Sequence, residues 1–248
     1  MEQAKNIKLI ALDMDGTLLT KDHEITPLTR QAISEAMEKG IHVVLSTGRW
    51  LQSCYPFAES LGLQSYLVTV NGGEIWTKDK ELVEQHLFDS KKIEQMYHIA
   101  AGLGLTTWMI TTEQVYRNEL PENVHELKWL KFGCESHDPV TLEKMIKELS
   151  FIDGLEMTNS LPTNLEVNPE GVNKAKGLEK VCNMVGITMD EVMAVGDSLN
   201  DIKMIQQAGV GVAMGNAQEA VKKAADDITD VNNADGVGKA IRRYALER

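Results

Sequence analysis

The sequence predicts an α/β protein: a doubly wound parallel-sheet core interrupted by an inserted α+β domain. Three observations carry this. Short apolar runs alternate with amphipathic stretches over residues 7–70 and again over 173–246; the first three runs each close on a polar, glycine-containing loop; and between the two stretches the pattern changes to closely spaced short strands. The expected segments are 1–82 for the first part of the core, 83–168 for the insert and 169–248 for the second part. A chain of 248 residues holds one large domain or two modest ones, either with a real core.

Residues 7–12 form an apolar run ending in the turn Asp13-Met14-Asp15-Gly16-Thr17. A helix over about 27–39 follows from Leu28, Ala32, Ile33, Ala36 and Met37 at helical spacing, opened by Thr26-Pro27 and stopped by Gly40. A strand over 41–45 closes on Ser46-Thr47-Gly48-Arg49, a helix covers about 50–61, and a strand over 66–70 ends in Asn71-Gly72-Gly73. In the middle, 74–87 reads as a hairpin around Lys78-Asp79-Lys80, 90–103 and 139–149 as helices, and 105–110, 114–117, 127–133, 155–159 and 163–167 as strands. Beyond Gly171 the first alternation resumes, with a helix over 173–185, strands at 192–196 and 209–213, and helices near 199–207, 217–224 and 236–246.

Twenty-five Lys and Arg against 37 Asp and Glu give a net charge of −12, which argues against general affinity for nucleic-acid phosphates or anionic lipid. Apolar residues at 43% and charged ones at 25% are ordinary globular usage and exclude a disordered or fibrous chain. No run approaches the roughly 18 apolar residues of a membrane span, and no signal peptide is evident. A soluble cytoplasmic protein with no membrane partner is expected. Cys54, Cys134 and Cys182 are odd in number and far apart, the pattern of buried, reduced thiols.

In an open parallel sheet, ligands bind where the loops after the strands converge. Here those loops carry Asp13 to Thr17, Thr47-Gly48-Arg49, Asn71-Gly72 and Gly196-Asp197-Ser198-Leu199-Asn200-Asp201. Asp13 and Asp15 can share a side as a strand ends, and Asp197 and Asp201 share a face at a helix start. If the two loops meet, four carboxylates crowd, and like charges at 4 Å repel by about 4 kcal/mol at an effective dielectric near 20. Such a cluster needs a cation or must take up protons, and oxygen ligands without His or Cys favour magnesium. Phosphate oxygens commonly fill the open positions of such a metal, with Thr47, Gly48, the amides of the Met14 turn and Lys174 as donors. Each feature alone has a plain structural reading: a solvated turn, a helix N-cap, an exposed lysine. Their joint occurrence, in order and each after a strand or at a helix start, makes coincidence the poorer account.

Asp13-Met14-Asp15-Gly16-Thr17-Leu18, Ser46-Thr47-Gly48-Arg49, Asn71-Gly72, Lys174 and Gly196 to Asp201 together resemble the haloacid dehalogenase-like superfamily. The TGR and NG elements and the position of the insert look like its Cof-type phosphatases, with a Rossmann-like core and a large α/β cap. The resemblance implies a magnesium-dependent phosphatase of small phosphomonoesters working through an aspartyl-phosphate. It makes Asp13 the nucleophile and a metal ligand, and Asp15 the general acid and then base, with its backbone carbonyl on the metal. Asp197 would be the third protein ligand, Asp201 would orient Lys174 or a metal-bound water, and Met14, Thr47, Gly48, Lys174 and Asn200 would hold phosphate. Lys176 is a rival for the lysine, since relatives usually have Gly soon after it.

The cap is expected to select the leaving group, with Arg49, Asn71, Tyr116, Arg117, Asn164 and Glu166 as candidates to face the cleft. Trp108 and Trp129 are read as packing between cap and core. Hinges are expected near 82–86 and 166–171. Sugar phosphates, nucleotide-like esters, flavin-pathway intermediates and pyridoxal phosphate are all open as substrates, and the oligomeric state is not set by the sequence. A phosphomutase of the phosphomannomutase type is the rival enzyme, and a non-hydrolytic phospho-aspartate signalling module the rival from another class.

Overall fold

The computed structural model describes residues 6–247; the first five positions of the expected first core segment and Arg248 lie outside the described residues. The chain forms two compact units. One runs up to Glu84 and resumes at Lys174, and the other is Gln85–Asn173.

The first unit opens with β1 (Leu9–Leu12), buried at every position because helices cover both faces of a parallel sheet. α1 (Pro27–Glu38) starts where the Thr26 hydroxyl accepts from the Thr29 N–H at 3.3 Å, and ends before Gly40, whose φ of +80° a side chain would strain. Then come β2 (His42–Ser46), α2 (Leu51–Ser60), β3 (Leu67–Thr69), β4 (Glu74–Trp76) and β5 (Leu82–Gln85).

In the second unit, α3 (Ser90–Gly102) is capped by Asp89 and followed by β6 (Thr106–Thr111), β7 (Val115–Arg117) and β8 (Trp129–Glu135). α4 (Pro139–Leu149), capped by Asp138, leads to β9 (Leu155–Thr158) and β10 (Asn164–Pro169). These strands form an antiparallel sheet in the order β7-β6-β8-β10-β9. Ile93, Met96 and Ala100 of α3 and Leu142, Met145 and Leu149 of α4 join Met109, Phe132, Cys134, Leu165 and Val167 in its core. Trp129 is fully buried there and donates its indole N–H to the Val124 carbonyl at 2.7 Å. The Trp108 ring lies over Gly133, where a Cβ would come within 2.1 Å of Cε2.

The chain returns to the first unit with α5 (Lys174–Val185), β11 (Val192–Gly196), α6 (Ile202–Gln207), β12 (Val210–Ala213), α7 (Glu219–Ala224), β13 (Asp227–Ile228) and α8 (Gly236–Ile241). The helix expected over 199–207 begins as a single 3-10 turn, and the one expected over 236–246 widens into a π turn after Ile241. β13, two residues long, is too short to leave a periodic signal. The sheet order is β13-β12-β11-β1-β2-β3-β4-β5, parallel from β13 to β3, with β4 antiparallel to β3. From β1 the chain moves outward through β2 and β3, then comes back on the other side with β11. The switch point of this α/β sheet therefore lies between β1 and β11, where such sheets bind ligands. The in-register pair Leu12↔Val195 puts Asp13 and Asp197 at the same end of neighbouring strands.

Candidate active site

Asp13 leaves β1 with its N–H on the Val195 carbonyl at 3.1 Å, so the first loop is anchored to β11 before it turns. The turn closes with the Leu18 and Leu19 N–H groups on the Asp13 and Met14 carbonyls and with Gly16 at φ +80°. Only glycine suits that position, because a Cβ would also sit 2.5 Å from Asp197 Oδ2. The carboxylate of Asp197 accepts from the Thr17 hydroxyl at 2.8 Å and the Ser198 hydroxyl at 3.1 Å. Asp201 folds back on its own turn: Oδ2 accepts from the Asp197 and Ser198 N–H groups at 2.9 and 3.0 Å, a capping arrangement.

Lys174, the first residue of α5, enters this cluster with no exposed side-chain surface. Its ammonium donates to Asp13 Oδ1 at 2.6 Å and Asp201 Oδ1 at 2.7 Å. Lys176 instead pairs with Glu179 at 2.7 Å on the exposed side of the helix, so of the two lysines it is Lys174 that the fold brings to the acidic cluster.

Among the described residues, Asp13, Asp197 and Asp201 bring one oxygen each within 4.8 Å of the others. With all three carboxylates ionised, one ammonium leaves a formal charge of −2 at this point. The acidities respond: burial, reinforced by Asp201 and Asp197, pushes Asp13 well above the ordinary carboxylate range against the pull of Lys174. Burial and Asp201 push Asp197 up to about 6. Burial alone would lower Lys174, but Asp13 and Asp201 outweigh it and hold the ammonium above its usual range. A residual charge of two, oxygen donors only and two strained carboxylates fit a hard divalent cation such as magnesium. Asp201 Oδ1 takes the Lys174 ammonium and Oδ2 two backbone N–H groups, whereas each Asp197 oxygen accepts a single hydroxyl and Asp13 takes the ammonium on Oδ1, so Asp13 and Asp197 are the carboxylates of the three better suited to it.

Asp15 stands apart. Its carboxylate, about half exposed, is clasped by Arg49 through Nε to Oδ2 at 2.7 Å and Nη2 to Oδ1 at 2.5 Å. Arg49 also lies over the Phe57 ring, 5.5 Å from its centroid, and the Asp15 hydrogen bonds raise its already high pKa. Thr47 and Met14 are buried, and the Thr47 hydroxyl accepts from the Arg49 N–H at 3.1 Å. Asn71, expected among the residues facing the leaving group, is 2% exposed, and its Oδ1 accepts from Asn200 Nδ2 at 3.3 Å.

In the second unit, Tyr116 packs on Trp129 with ring centroids 5.5 Å apart, and Arg117 pairs with Trp108 across β6 and β7. Asn164 Oδ1 accepts from the Ser160 and Leu161 N–H groups at 3.1 and 3.2 Å and so holds a turn. Glu166 is buried against Lys131 at 3.1 Å and accepts from the Ser160 hydroxyl at 3.0 Å. Lys131 escaped the sequence reading; its signal was a lone charge between Leu130 and Phe132 in an apolar strand. The roles of Thr17 and Ser198 in holding Asp197 were also missed, since hydroxyls in loops carry no signal of their own. The three cysteines are free and buried, and burial pushes Cys54 and Cys134 up to about 12 and Cys182 to about 11. None is a thiolate nucleophile at neutral pH.

Replacing Gly16 with Ala is expected to lower the melting temperature by roughly 4–8 °C, from about 2 kcal/mol of backbone strain and crowding. If magnesium is held in this cluster, the same change should weaken its binding by displacing Asp197. Thermal melts with and without magnesium measure both, and an unchanged melt would mean the turn relaxes without touching Asp197.

No helix among the described residues is long and apolar enough to cross a membrane. A family profile described as haloacid dehalogenase-like hydrolase matches residues 10–141 and 119–241. The chain is 51% identical over 241 residues to the 5-amino-6-(5-phospho-D-ribitylamino)uracil phosphatase YcsE of Bacillus subtilis (strain 168), covering 97% of each. It is 31% identical to a phosphoglycolate phosphatase of Methanobrevibacter smithii, covering 97% of this chain and 100% of that one. Among solved structures it resembles a haloacid dehalogenase-like hydrolase from Bacteroides thetaiotaomicron with a TM-score of 0.79 at 31% identity, covering 96% of this chain and 99% of that one.

Proposed function

The chain belongs to the haloacid dehalogenase-like hydrolase family as a phosphoric monoester hydrolase of the Cof type, and we propose that it is magnesium-dependent, works through an aspartyl-phosphate on Asp13 and prefers a ribityl phosphate of the flavin pathway. The observation that carries the mechanism is Asp13 held on the buried Lys174 in a cluster left with two negative charges. Lys174 occupies Oδ1, which leaves Oδ2 to attack phosphorus. The P–O bond to the leaving alcohol breaks as Asp15 protonates the departing oxygen. Asp15 then takes a proton from water, the water oxygen attacks phosphorus, and the Asp13–phosphorus bond breaks to release inorganic phosphate. Lys174, Thr47, the amides of Met14 and Gly48, and Asn200 hold the phosphoryl oxygens and offset charge as it develops. Magnesium, held by Asp13, Asp197 and the Asp15 backbone carbonyl, would neutralise phosphoryl charge when bound. Since burial raises Asp13 well above the carboxylate range and Asp197 to about 6, protons should compete with the ion for both carboxylates, and apparent magnesium affinity should fall at least tenfold per pH unit below about pH 6, as titration of binding against pH would measure.

Support for the substrate comes from the 51% identical relative, whose name specifies 5-amino-6-(5-phospho-D-ribitylamino)uracil. The test is phosphate release from that ester, sugar phosphates, phosphoglycolate and pyridoxal phosphate, with magnesium or EDTA. A kcat/KM for the ribityl phosphate at least tenfold above the rest supports the assignment. Preference for another ester removes it, and transfer of phosphate to a sugar rather than water removes the hydrolytic reading.

The Arg49 clasp adds a condition, because a carboxylate held by both oxygens cannot present a proton until the guanidinium shifts. In this reading Arg49 sets the aim of Asp15, and general acid catalysis contributes about 10²–10⁴-fold. Arg49→Met should therefore lower kcat/KM for an alkyl phosphate at least tenfold while sparing p-nitrophenyl phosphate, whose leaving group needs no proton. Equal losses on both esters would make Arg49 a phosphate ligand instead.

A further inference from the structure

The turn after β3 ties together three parts of the site that the chain supplies separately. Val70, Asn71 and Gly72 all have positive φ, at 52°, 59° and 93°, a run that is unusual above all for β-branched Val70. The Val70 and Asn71 N–H groups donate to the Arg49 and Thr47 carbonyls, each at 2.9 Å, which fastens the turn to the Thr47 loop. On the other side lies α5, which begins at Lys174: a Cβ on its Gly177 would come within 2.6 Å of Val68 Cγ1 and 3.3 Å of Gly72 Cα. The Asn71 side chain reaches the third part, accepting from Asn200 Nδ2 at 3.3 Å.

We propose that Asn71 is a positioning residue for phosphate, acting through Asn200. An amide has two N–H donors and one acceptor oxygen. Asn71 Oδ1 takes one donor and so fixes the plane of the Asn200 amide, which in an otherwise rotatable side chain decides where the second donor points. Asn200 Oδ1 is buried and meets no donor among the described residues. A buried acceptor without a partner is rare, and here a hydrogen-bearing ligand, such as water carried with a phosphate, completes it. The positive φ at Asn71 suits this duty, because Asn tolerates that backbone and still carries the acceptor that Gly lacks.

This inference rests on reading Asn200 as a phosphate contact, so the experiment separates the two. The inhibition constant of inorganic phosphate is measured against p-nitrophenyl phosphate hydrolysis with magnesium, for wild type, Asn71→Gly, Asn200→Ala and the double variant, each with a thermal melt. Glycine keeps the positive-φ backbone conformation while removing the side chain that carries the amide. The expected result is a phosphate constant raised about 5–10-fold by each single change and no further by the double, with melting temperatures close to wild type. If Asn200→Ala leaves phosphate binding unchanged, the contact itself is wrong and this inference falls with it. If Asn200→Ala weakens phosphate but Asn71→Gly does not, or if the two losses multiply, Asn71 does not act through Asn200. A large fall in the melting temperature of Asn71→Gly without a change in the phosphate constant would assign Asn71 to stability alone.

Discussion

Asp13→Asn is expected to abolish magnesium-dependent phosphate release, by at least ~10⁴-fold in kcat, and to make the metal-free protein more stable at the same time. The amide matches the carboxyl in size and can still accept from Lys174, so the fold has no reason to change. It cannot form an acyl phosphate, so the reaction has no first step. The stability gain follows from the direction of the Asp13 shift. Burial raises its folded pKa above the unfolded value, so the protonated form is favoured in the fold, and stability is lost as pH rises and the group ionises. Asparagine is neutral at every pH and escapes that loss. Melts at pH 5 and pH 8 without magnesium should show the variant near wild type at the lower pH and above it at the higher. Residual turnover above about one part in a thousand would point to another nucleophile.

Lys174→Met is expected to have the largest effect on stability. It keeps a long apolar stem but removes the ammonium between Asp13 and Asp201, leaving three carboxylates within 4.8 Å and no internal cation. Removing one partner of a buried ion pair costs about 3–5 kcal/mol at neutral pH. The cost should shrink toward pH 5, because Asp13 and Asp197 both have raised pKa values and take up protons as pH falls, which removes the repulsion. Magnesium should restore part of the stability but not the activity, since in the proposed mechanism Lys174 is the cation on the phosphoryl oxygens, and kcat is expected to fall by ~10²–10³. Denaturant titrations at pH 5 and pH 8 decide the matter: equal destabilisation at both would mean that Lys174 contributes packing rather than charge.

Much of the core was legible before any coordinates. The strand ends at Leu12, Ser46 and Gly196 could be read from apolar runs that stop at polar loops. In a parallel sheet all such loops emerge at the carboxyl ends of the strands, so the placing of Asp13, Thr47 and Asp197 at one end of the sheet was legible, while whether the Asp13 and Asp197 loops meet had to wait for the strand order. The second unit was legible as closely spaced short strands and two helices, over 90–103 and 139–149, while the caps that open those helices, Asp89 and Asp138, came from the structure. The late elements were blurred where segments are short: six residues of α7 and two of β13 hold less than two turns or one repeat of any period.

The sequence by itself determined the kind of protein this is and which loops carry its chemistry, because periodicity and loop composition are local properties that a parallel α/β arrangement turns into shared position. Only the tertiary structure decided which groups on those loops face each other. Lys174 reaches Asp13 across 161 positions and Lys176 does not, although both sit on the same turn of helix. Arg49 closes on Asp15, Asn71 turns inward to Asn200, and Lys131 buries its charge against Glu166. Each of these pairings depends on side-chain direction and on the desolvation of charges far apart in the chain, and neither leaves a mark in local sequence pattern.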